Sequence, residues 1–187
     1  MFCLQKNNKT MININKSKFF GYCFFVEKIE DCDKIIANLS HEHLKSSHVC
    51  YAYIIGKNQE IQNYFDANEP KKTAGFQILN LLLKSNITNC LIVVVRYFGG
   101  LKLGIGLLSR TYLRVAKELV QNNLIEYFTF QEIIIKFSYS LATKINNWVL
   151  KNKVLILDKE FGMMITYKLK VKGEIAVPNW IKQLIFR

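Results

Sequence analysis

Residues 90–95 form an uninterrupted apolar run, CLIVVV, and a glycine-rich stretch at 96–110, RYFGGLKLGIGLLSR, follows it directly. A short apolar run bounded by turn residues predicts a buried strand. Residues 107–122 have apolar side chains at helical spacing and predict a helix. Its core stripe is expected to contain Leu108, Tyr112, Val115 and Leu119. The chain is therefore organised around a buried strand, a glycine turn and an amphipathic helix.

The segments before this strand alternate between strand and helix patterns. Aromatic and β-branched residues predict strands at 18–26, 49–55 and 60–66. Helical spacing of apolar residues predicts helices at 30–44 and 73–86. The polar segment ANEPKK at 67–72 breaks the chain between the last of these strands and the second helix.

The pattern restarts near residues 123–130. It predicts a strand at 131–139, a helix at 141–152, a strand pair at 153–158 and 162–173, and a helix start at 177–186. This β-α-β-β-α order is the beginning of a ferredoxin-like unit, which normally ends with a further strand. Because the chain ends before one, the second domain either lacks its last strand or closes its sheet differently. We predict an α+β protein with domains at 1–128 and 129–187.

The glycine stretch does not match the known phosphate-binding loops. Counting from Gly99, a Walker-type loop would need lysine where Ile105 stands, and a dinucleotide fingerprint from Gly104 would need glycine where Ser109 stands. A loop of the homoserine and galactose kinase type would have serines at 107 and 108, which are both leucine here. The glycines therefore either fold a tight crossover or allow another backbone, protein or nucleic acid, to approach.

The charge of the chain suggests an anionic partner. The formal net charge is +12, which favours nucleic acid or the ribosome. A genome with biased base composition would also produce many lysines, so the arginines are more informative. Lysines number 22 and arginines four, and Arg96, Arg110 and Arg114 all lie in or just after the glycine stretch. A planar, forked donor used so sparingly indicates function.

The cysteines and histidines predict neither disulfides nor a metal site. Five cysteines with no Cys-x-x-Cys pair indicate reduced thiols. His41, His43, His48 and Cys50 lie close together, but their spacing does not match a zinc site, so no metal and no cofactor are predicted. No apolar run reaches the roughly 18 residues of a membrane span, and no secretory signal is present. We expect a cytoplasmic protein.

Three blocks of the chain resemble the YigZ/Impact family. They are SHVCYAY at 47–53, DANEPKKTAGFQIL at 66–79 and RYFGGLKLGIGLLSRTY at 96–112, and the resemblance covers roughly residues 16–122. It implies an Impact N-terminal-like domain that is an α/β sandwich similar to domain IV of elongation factor G. The smaller domain would be similar to the ferredoxin-like domain V of that factor. It also implies a protein associated with translation, since eukaryotic relatives regulate initiation by restraining the kinase that senses uncharged tRNA.

The acidic block departs from the family pattern. The family's usual Asp-Asp-Gly-Glu-Pro is here Asp66-Ala67-Asn68-Glu69-Pro70, which lacks one carboxylate and the turn glycine. Asp66 and Glu69 are expected to cap the helix near Thr73, to pair with Arg96 or Arg110, or to bind a cation, and pairing is preferred because a buried arginine needs a carboxylate. His48 and Cys50 lie two apart on a strand, so both face one side. No residue is assigned a catalytic role.

We predict one polar surface that meets RNA, the ribosome or a translation-factor partner. Arginines and lysine would contact phosphates, and aromatic residues would stack on bases or pack beneath. The residues assigned to it are His48, Asp66, Glu69, Thr73, Arg96, Tyr97, Phe98, Gly99, Gly100, Lys102, Gly104, Gly106, Arg110, Tyr112 and Arg114. Two alternatives remain open: an enzyme acting on a small phosphorylated or peptide substrate in the same cleft, and a module that binds only protein.

Overall fold

The protein is a two-domain α+β chain. A computed structural model describes residues 1–173 and the backbone of residues 184–186. The chain divides into two compact units, Met1–Tyr127 and Phe128–Arg187. Each unit has its own sheet and its own hydrophobic core. Within residues 1–173, no helix is both long and apolar enough to cross a membrane.

The first unit is built on a five-stranded antiparallel sheet. In chain order its elements are β1 (Phe2–Leu4), β2 (Asn8–Ile14), β3 (Ser17–Phe25), α1 (Ile29–Glu42), β4 (His48–Ile55), β5 (Ile61–Phe65), α2 (Gly75–Lys84), β6 (Cys90–Tyr97), α3 (Ile105–Val120) and β7 (Leu124–Glu126). The sheet order is β2-β3-β6-β4-β5, and β1 pairs separately with β7. The strands and helices predicted between residues 18 and 122 are confirmed, with bounds shifted by a few residues.

Strand β6 is the centre of the sheet and is covered on both faces. Its residues 90, 92 and 94 pack with α2 and α3, whereas residues 91, 93 and 95 pack with α1. All six are fully buried, which explains why the run has no polar alternation. The predicted core stripe of α3 is confirmed, because its four members are at most 5% exposed. Burial of each such side chain contributes about 1.5–3 kcal/mol.

The sequence patterns missed the edge of this sheet. Strand β2 is an edge strand whose side chains are mostly exposed or half-buried, so its sequence NKTMINI carries no strong apolar pattern. It joins β3 through the two-residue turn Asn15-Lys16, in which both residues have positive φ (45° and 66°). Such turns suit the twist of a hairpin.

The second unit has a four-stranded antiparallel sheet. Its elements are β8 (Phe130–Phe137), a 3-10 turn (Tyr139–Leu141), α4 (Ala142–Lys151), β9 (Leu155–Phe161), β10 (Ile165–Lys172) and β11 (Leu184–Phe186). The sheet order is β11-β8-β10-β9. Ile145 and Val149 of α4 pack against the buried face of the sheet, which includes Ile133 and Ile135 of β8.

A further strand is present, contrary to the prediction that the second domain lacks its last strand or closes its sheet differently. Strand β11 pairs antiparallel with β8, where Leu184 lies opposite Ile135 and Phe186 opposite Ile133. The helix start predicted at 177–186 lies outside the described residues except for 184–186, which form this strand. Three residues at a sheet edge are too few to show a strand period, and their pairing with β8 is a contact distant in sequence.

Candidate functional site

The candidate site lies at the end of β6 that leads into the glycine turn. Arg96 and His48 are paired residues on β6 and β4. Because side chains alternate along a strand, His48, Cys50 and Arg96 all face the layer that contains α2 and α3. The predicted common orientation of His48 and Cys50 is confirmed, since Cys50 belongs to the core beneath α2 and α3.

The two carboxylates of the acidic block have different roles. The Asp66 carboxylate accepts hydrogen bonds from the backbone N–H groups of Lys72 (2.7 Å) and Ala74 (3.1 Å), just before α2. It therefore caps this chain segment, which is one of the roles predicted for it. Glu69 is carried inward by Ala67 and Asn68, both in the left-handed conformation (φ 46° and 64°).

Glu69 forms a buried ion pair with Arg96. Arg96 Nη1 donates to Glu69 Oε1 at 2.7 Å, and the two side chains are only 5% and 4% exposed. The hydroxyl of Tyr112 donates to the same oxygen at 2.8 Å. Burial raises the pKa of the Tyr112 hydroxyl, so it remains a donor at any physiological pH. The buried Glu69 carboxylate therefore has both a counter-charge, from Arg96, and two hydrogen-bond donors, which a buried charge requires.

This burial corrects two of the predicted roles. The guanidinium of Arg96 lies between the rings of Phe19 and Phe98, 5.3 Å and 5.5 Å from their centroids. It is thus a packed part of unit 1 and does not reach a partner's phosphates. Tyr112 has no exposed surface and stands edge-on to Phe19, so it cannot stack on a base. Both residues hold Glu69 in place.

Cys50 and His48 do not form a nucleophile and base pair. Cys50 Sγ lies 3.2 Å from the Asp66 carbonyl oxygen and 3.4 Å from the Tyr112 hydroxyl. Burial raises the pKa of this thiol far above its ordinary value, which opposes the thiolate form that a nucleophile needs. His48 Nδ1 lies 2.8 Å from the carbonyl oxygen of Ala67. Since a carbonyl can only accept, Nδ1 carries a proton, and Nε2 lies 3.9 Å from Glu69 Oε1.

The glycine turn docks on the β2–β3 hairpin of the same chain. A Cβ at Gly99 would overlap the backbone carbonyl of Lys16, so the close backbone approach inferred from the glycines is intramolecular. The N–H of Gly99 donates to Ser17 Oγ at 3.2 Å. Gly104 ends the turn with φ 72° just before α3. The turn therefore has a structural role and also sets where α3 begins.

Two cavities adjoin the turn, and Phe98 lines both. The larger has a volume of about 440 Å³ and is lined by His48, Asn68, Glu69, Pro70, Arg96, Phe98, Lys102, Leu103, Gly104, Ile105 and Leu108. The smaller has a volume of about 310 Å³ and is lined by Lys16, Lys18, Phe20, Tyr97 and Phe98. The larger cavity thus brings together His48, Glu69, Arg96, Phe98, Lys102 and Gly104 of the predicted site.

The other predicted residues lie beside these cavities or away from them. Thr73 is buried, and its hydroxyl donates to the Pro70 carbonyl at 2.6 Å. Tyr97 hydrogen-bonds His43 at 2.9 Å. Arg114 is exposed and pairs with Glu118 within α3 at 3.2 Å. These residues have partners inside unit 1 that account for their polar groups.

Arg110 and the glycines near it complete the predicted set. Arg110 is exposed, and a Cβ added at Gly106 would lie 3.6 Å from its Nη1. The guanidinium therefore lies over the first turn of α3. Gly100 is exposed, has φ 84°, and no atom would contact a Cβ added there.

Lys16 and Lys18 were missed by sequence reasoning. Both are exposed, and they reach Phe98 because β3 pairs with β6, where Lys18 lies opposite Tyr97. The available signal was the turn dipeptide Asn15-Lys16 between two alternating segments. Among residues 1–173, no group of three or more His, Cys, Asp or Glu side chains is arranged to hold a metal ion.

Fold and site together define a two-domain α+β protein with a buried Glu–Arg pair beneath a glycine turn. Residues 15–120, more than half of the chain, match the family described as Impact N-terminal domain. The chain belongs to this family, and the identification from the three sequence blocks is confirmed.

Two curated relatives and one solved structure illustrate the similarity. IMPACT family member YvyE of Bacillus subtilis (strain 168) is 29% identical over 186 residues, covering 98% of this chain and 86% of that protein. IMPACT family member YigZ of Escherichia coli (strain K12) is 33% identical over 101 residues, covering 53% of this chain and only 50% of YigZ. A solved structure described as "Crystal structure of an hypothetical protein" covers 91% of this chain and 84% of its own, with TM-score 0.66 and 22% identity. This last likeness shows the fold alone.

Proposed function

We propose that the protein acts in translation by binding RNA, in the ribosome or free, through a surface around Phe98. This Phe98 surface consists of Lys16, Lys18, Phe98 and Lys102, which line the two cavities beside the glycine turn. The observation that carries the proposal is that one aromatic ring, 45% exposed, lines two neighbouring cavities that both contain lysine. Exposed aromatic rings beside cations are the elements from which proteins build contacts to unpaired RNA.

The charges around the ring support this partner. All three lysines of the Phe98 surface are exposed. Among the described residues, Glu69 is the single carboxylate that lines either cavity, and its charge is matched by Arg96. The surface therefore has an uncompensated positive charge, in keeping with the net charge of +12. Phosphate contacts from such a surface give affinity that falls as salt is raised.

The family supports the link to translation. By the resemblance, eukaryotic relatives regulate initiation, and we extend only the general association with translation to this chain. We also propose that unit 1 corresponds to domain IV of elongation factor G and unit 2 to its ferredoxin-like domain V. The order β11-β8-β10-β9 in unit 2 supports the second correspondence, because a ferredoxin-like unit places its first and third strands at the centre of the sheet.

The test is salt-dependent RNA binding by matched double variants. Fluorescence anisotropy with a single-stranded RNA would be measured between about 50 and 200 mM salt. Lys16→Ala/Lys18→Ala should weaken binding and reduce the slope of log affinity against log salt by about 1.4, from two lost contacts at about 0.7 each. Lys28→Ala/Lys34→Ala removes the same charge from exposed positions before and within α1 and should leave the slope unchanged. Equal slopes for both double variants would refute the proposal.

A protein partner is the second candidate, favoured by two apolar side chains beside Phe98. Leu101 and Ile105 are 52% and 66% exposed. Cosedimentation with ribosomal subunits across a salt series distinguishes the two candidates. Binding lost at high salt and in Lys16→Ala/Lys18→Ala supports RNA. Binding that persists at high salt but is lost in Leu101→Ser supports a protein contact.

A further inference from the structure

The sheet of the second unit has one face that does not pack with α4. Every second residue of β10 is buried in the core shared with α4, namely Ile165, Tyr167, Leu169 and Val171. Because side chains alternate along a strand, the residues between them point to the opposite face, the open face. Its members on β8 and β10 are exposed or half-buried, namely Phe130, Glu132, Ile134, Lys136, Thr166, Lys168, Lys170 and Lys172.

Two phenylalanine rings lie at one end of the open face, each with a lysine above it. Phe130 is 54% exposed, and Lys170 Nζ lies 4.9 Å from the centroid of its ring. Phe128 is 39% exposed, and Lys172 Nζ lies 3.7 Å from its centroid. The two rings stand edge to face with their centroids 5.4 Å apart. These four residues form the Phe130 surface, in which exposed rings stand directly beside ammonium groups.

The spacing of the lysines suits an extended chain of anions. Lys168, Lys170 and Lys172 are alternate residues of one strand, so neighbouring members are about 7 Å apart along it. This is close to the distance between successive phosphates of an extended nucleic-acid strand. Lys168 pairs with Glu132 of β8 at 3.0 Å, so the carboxylate nearest to the row is already matched by a cation.

The charge of the second unit favours the same kind of partner. Residues 128–187 contain ten lysines and arginines against four aspartates and glutamates. Half of the net charge of +12 therefore lies in about a third of the chain. On the open face, the acidic residues of β9 lie opposite Lys168 and Thr166, as Asp158 and Glu160. The positive charge is consequently concentrated at the end that carries Phe130.

From this arrangement we infer that the Phe130 surface binds single-stranded RNA, with a base against Phe130 and phosphates at Lys170 and Lys172. It is a second RNA contact, on a different unit from the Phe98 surface. Exposed rings accept unstacked bases, which a single strand offers and a duplex keeps within its own stack. The choice of RNA as the nucleic acid rests on the proposed function, whereas the rings and the lysine row do not.

The test uses the full-length protein and fluorescence anisotropy with a short oligouridylate and with an RNA duplex, across a salt series. Phe130→Leu removes the ring but keeps an apolar side chain, and Phe130→Tyr is its control because it keeps the ring. Lys170→Ala/Lys172→Ala, the open-face pair, removes two charges. Lys151→Ala/Lys153→Ala, the control pair, removes the same charge from exposed positions at the end of α4. Both tryptophans lie in unit 2, so their urea transition shows that each variant is folded there.

Phe130→Leu should weaken oligouridylate binding about fivefold or more, since it removes one stacked base. It should leave the salt slope and duplex binding unchanged, and Phe130→Tyr should bind normally. The open-face pair should lower the slope of log affinity against log salt by about 1.4, from two contacts at about 0.7 each. The control pair should not lower it. Normal oligouridylate binding by Phe130→Leu, or equal slopes for the two lysine pairs, would overturn the inference.

Failure of this inference is distinguishable from failure of the proposed function. The same variants are also measured in the Lys16→Ala/Lys18→Ala background, where the contact at Phe98 is weakened and unit 2 is unaltered. If the Phe98 surface does not bind RNA, Lys16→Ala/Lys18→Ala has no effect and the losses in the unit 2 variants remain. If only the Phe98 surface binds RNA, the unit 2 variants match the unmodified chain, and the second contact is refuted.

Discussion

Replacing Glu69 by glutamine should severely destabilise the first unit. The substitution keeps the shape of the side chain but leaves the guanidinium of Arg96, 5% exposed, without a counter-charge. Breaking a buried pair from one side costs about 3–5 kcal/mol. The total stability of a domain is about 5–15 kcal/mol, so this loss is a large fraction of it. With a urea dependence of about 2 kcal/mol per molar, the unfolding midpoint should fall by about 2 M.

The two units can be followed separately in one sample. Both tryptophans, Trp148 and Trp180, belong to the second unit. Their fluorescence should therefore report an unchanged urea transition for unit 2. Circular dichroism should show the earlier transition of unit 1. A matched control is Glu118→Gln, which removes the partner of Arg114 from a pair whose side chains are 35% and 63% exposed and should cost less than about 1 kcal/mol.

A double variant tests whether the loss comes from the unpaired charge. Glu69→Gln/Arg96→Met removes both charges and replaces the guanidinium by an apolar group of similar length. The double variant should be more stable than Glu69→Gln alone, because no uncompensated charge remains buried. Additive losses, or a loss below about 1 kcal/mol for Glu69→Gln, would show that the pair is not electrostatically important.

The remaining predictions concern the turn, the cap and the thiols. Gly99→Ala should destabilise unit 1 by about 3 kcal/mol or more in urea unfolding, because the added Cβ would overlap the β2–β3 turn. Gly100→Ala is its control, because an added Cβ there meets open space. It should cost about 1 kcal/mol, owing to the φ of 84°. Asp66→Ala should cost about 1–2 kcal/mol in the same measurement, since two N–H groups lose their acceptor. Burial raises the pKa of Cys23 to about 11 and that of Cys32 to about 12, from an ordinary value of 9.0. The folded state thus keeps protons that the unfolded chain releases. The free energy of unfolding should therefore not be reduced by these thiols below about pH 9. Above about pH 9 it should fall by about 1.4 kcal/mol per pH unit for each thiol, until the pH reaches the pKa of that thiol in the folded state. Urea midpoints measured from pH 8 to 11 should decline less steeply in Cys32→Ala, and an identical decline would contradict this cause.

Local patterns were sufficient to predict the central elements of the first unit. The run CLIVVV has no polar residue because β6 is covered on both faces. The α3 stripe follows from helical spacing alone. The orientation of His48 and Cys50 follows from strand alternation. Each of these features is decided within a few residues, so a single sequence contains the information.

Features that depend on distant contacts could not be predicted. Nothing local distinguishes Asp66, which caps the segment before α2, from Glu69, which pairs with Arg96 across 27 positions. The choice depends on the left-handed turn between them and on the position of β6 in the sheet. Strand β11 was missed for the same reason, since its identity as a strand depends on its pairing with β8. The combination of Phe98 with two lysines likewise required the pairing of β3 with β6.

The scarcity of arginine has a physical meaning different from the one first assigned. The sequence pattern predicts a common phosphate-binding role, but the three arginines near the turn have three environments. Arg96 is buried against Glu69, Arg114 pairs on the surface of its own helix, and Arg110 lies over the first turn of α3. Of the three, Arg96 needs a planar cation that packs within the core against Phe19 and Phe98, and lysine would not replace it there. Exposed phosphate contacts have no such need, so lysines can supply them. An Arg96 variant would therefore report loss of folding in an RNA-binding experiment, and the lysines beside Phe98 are the residues that test the proposed function.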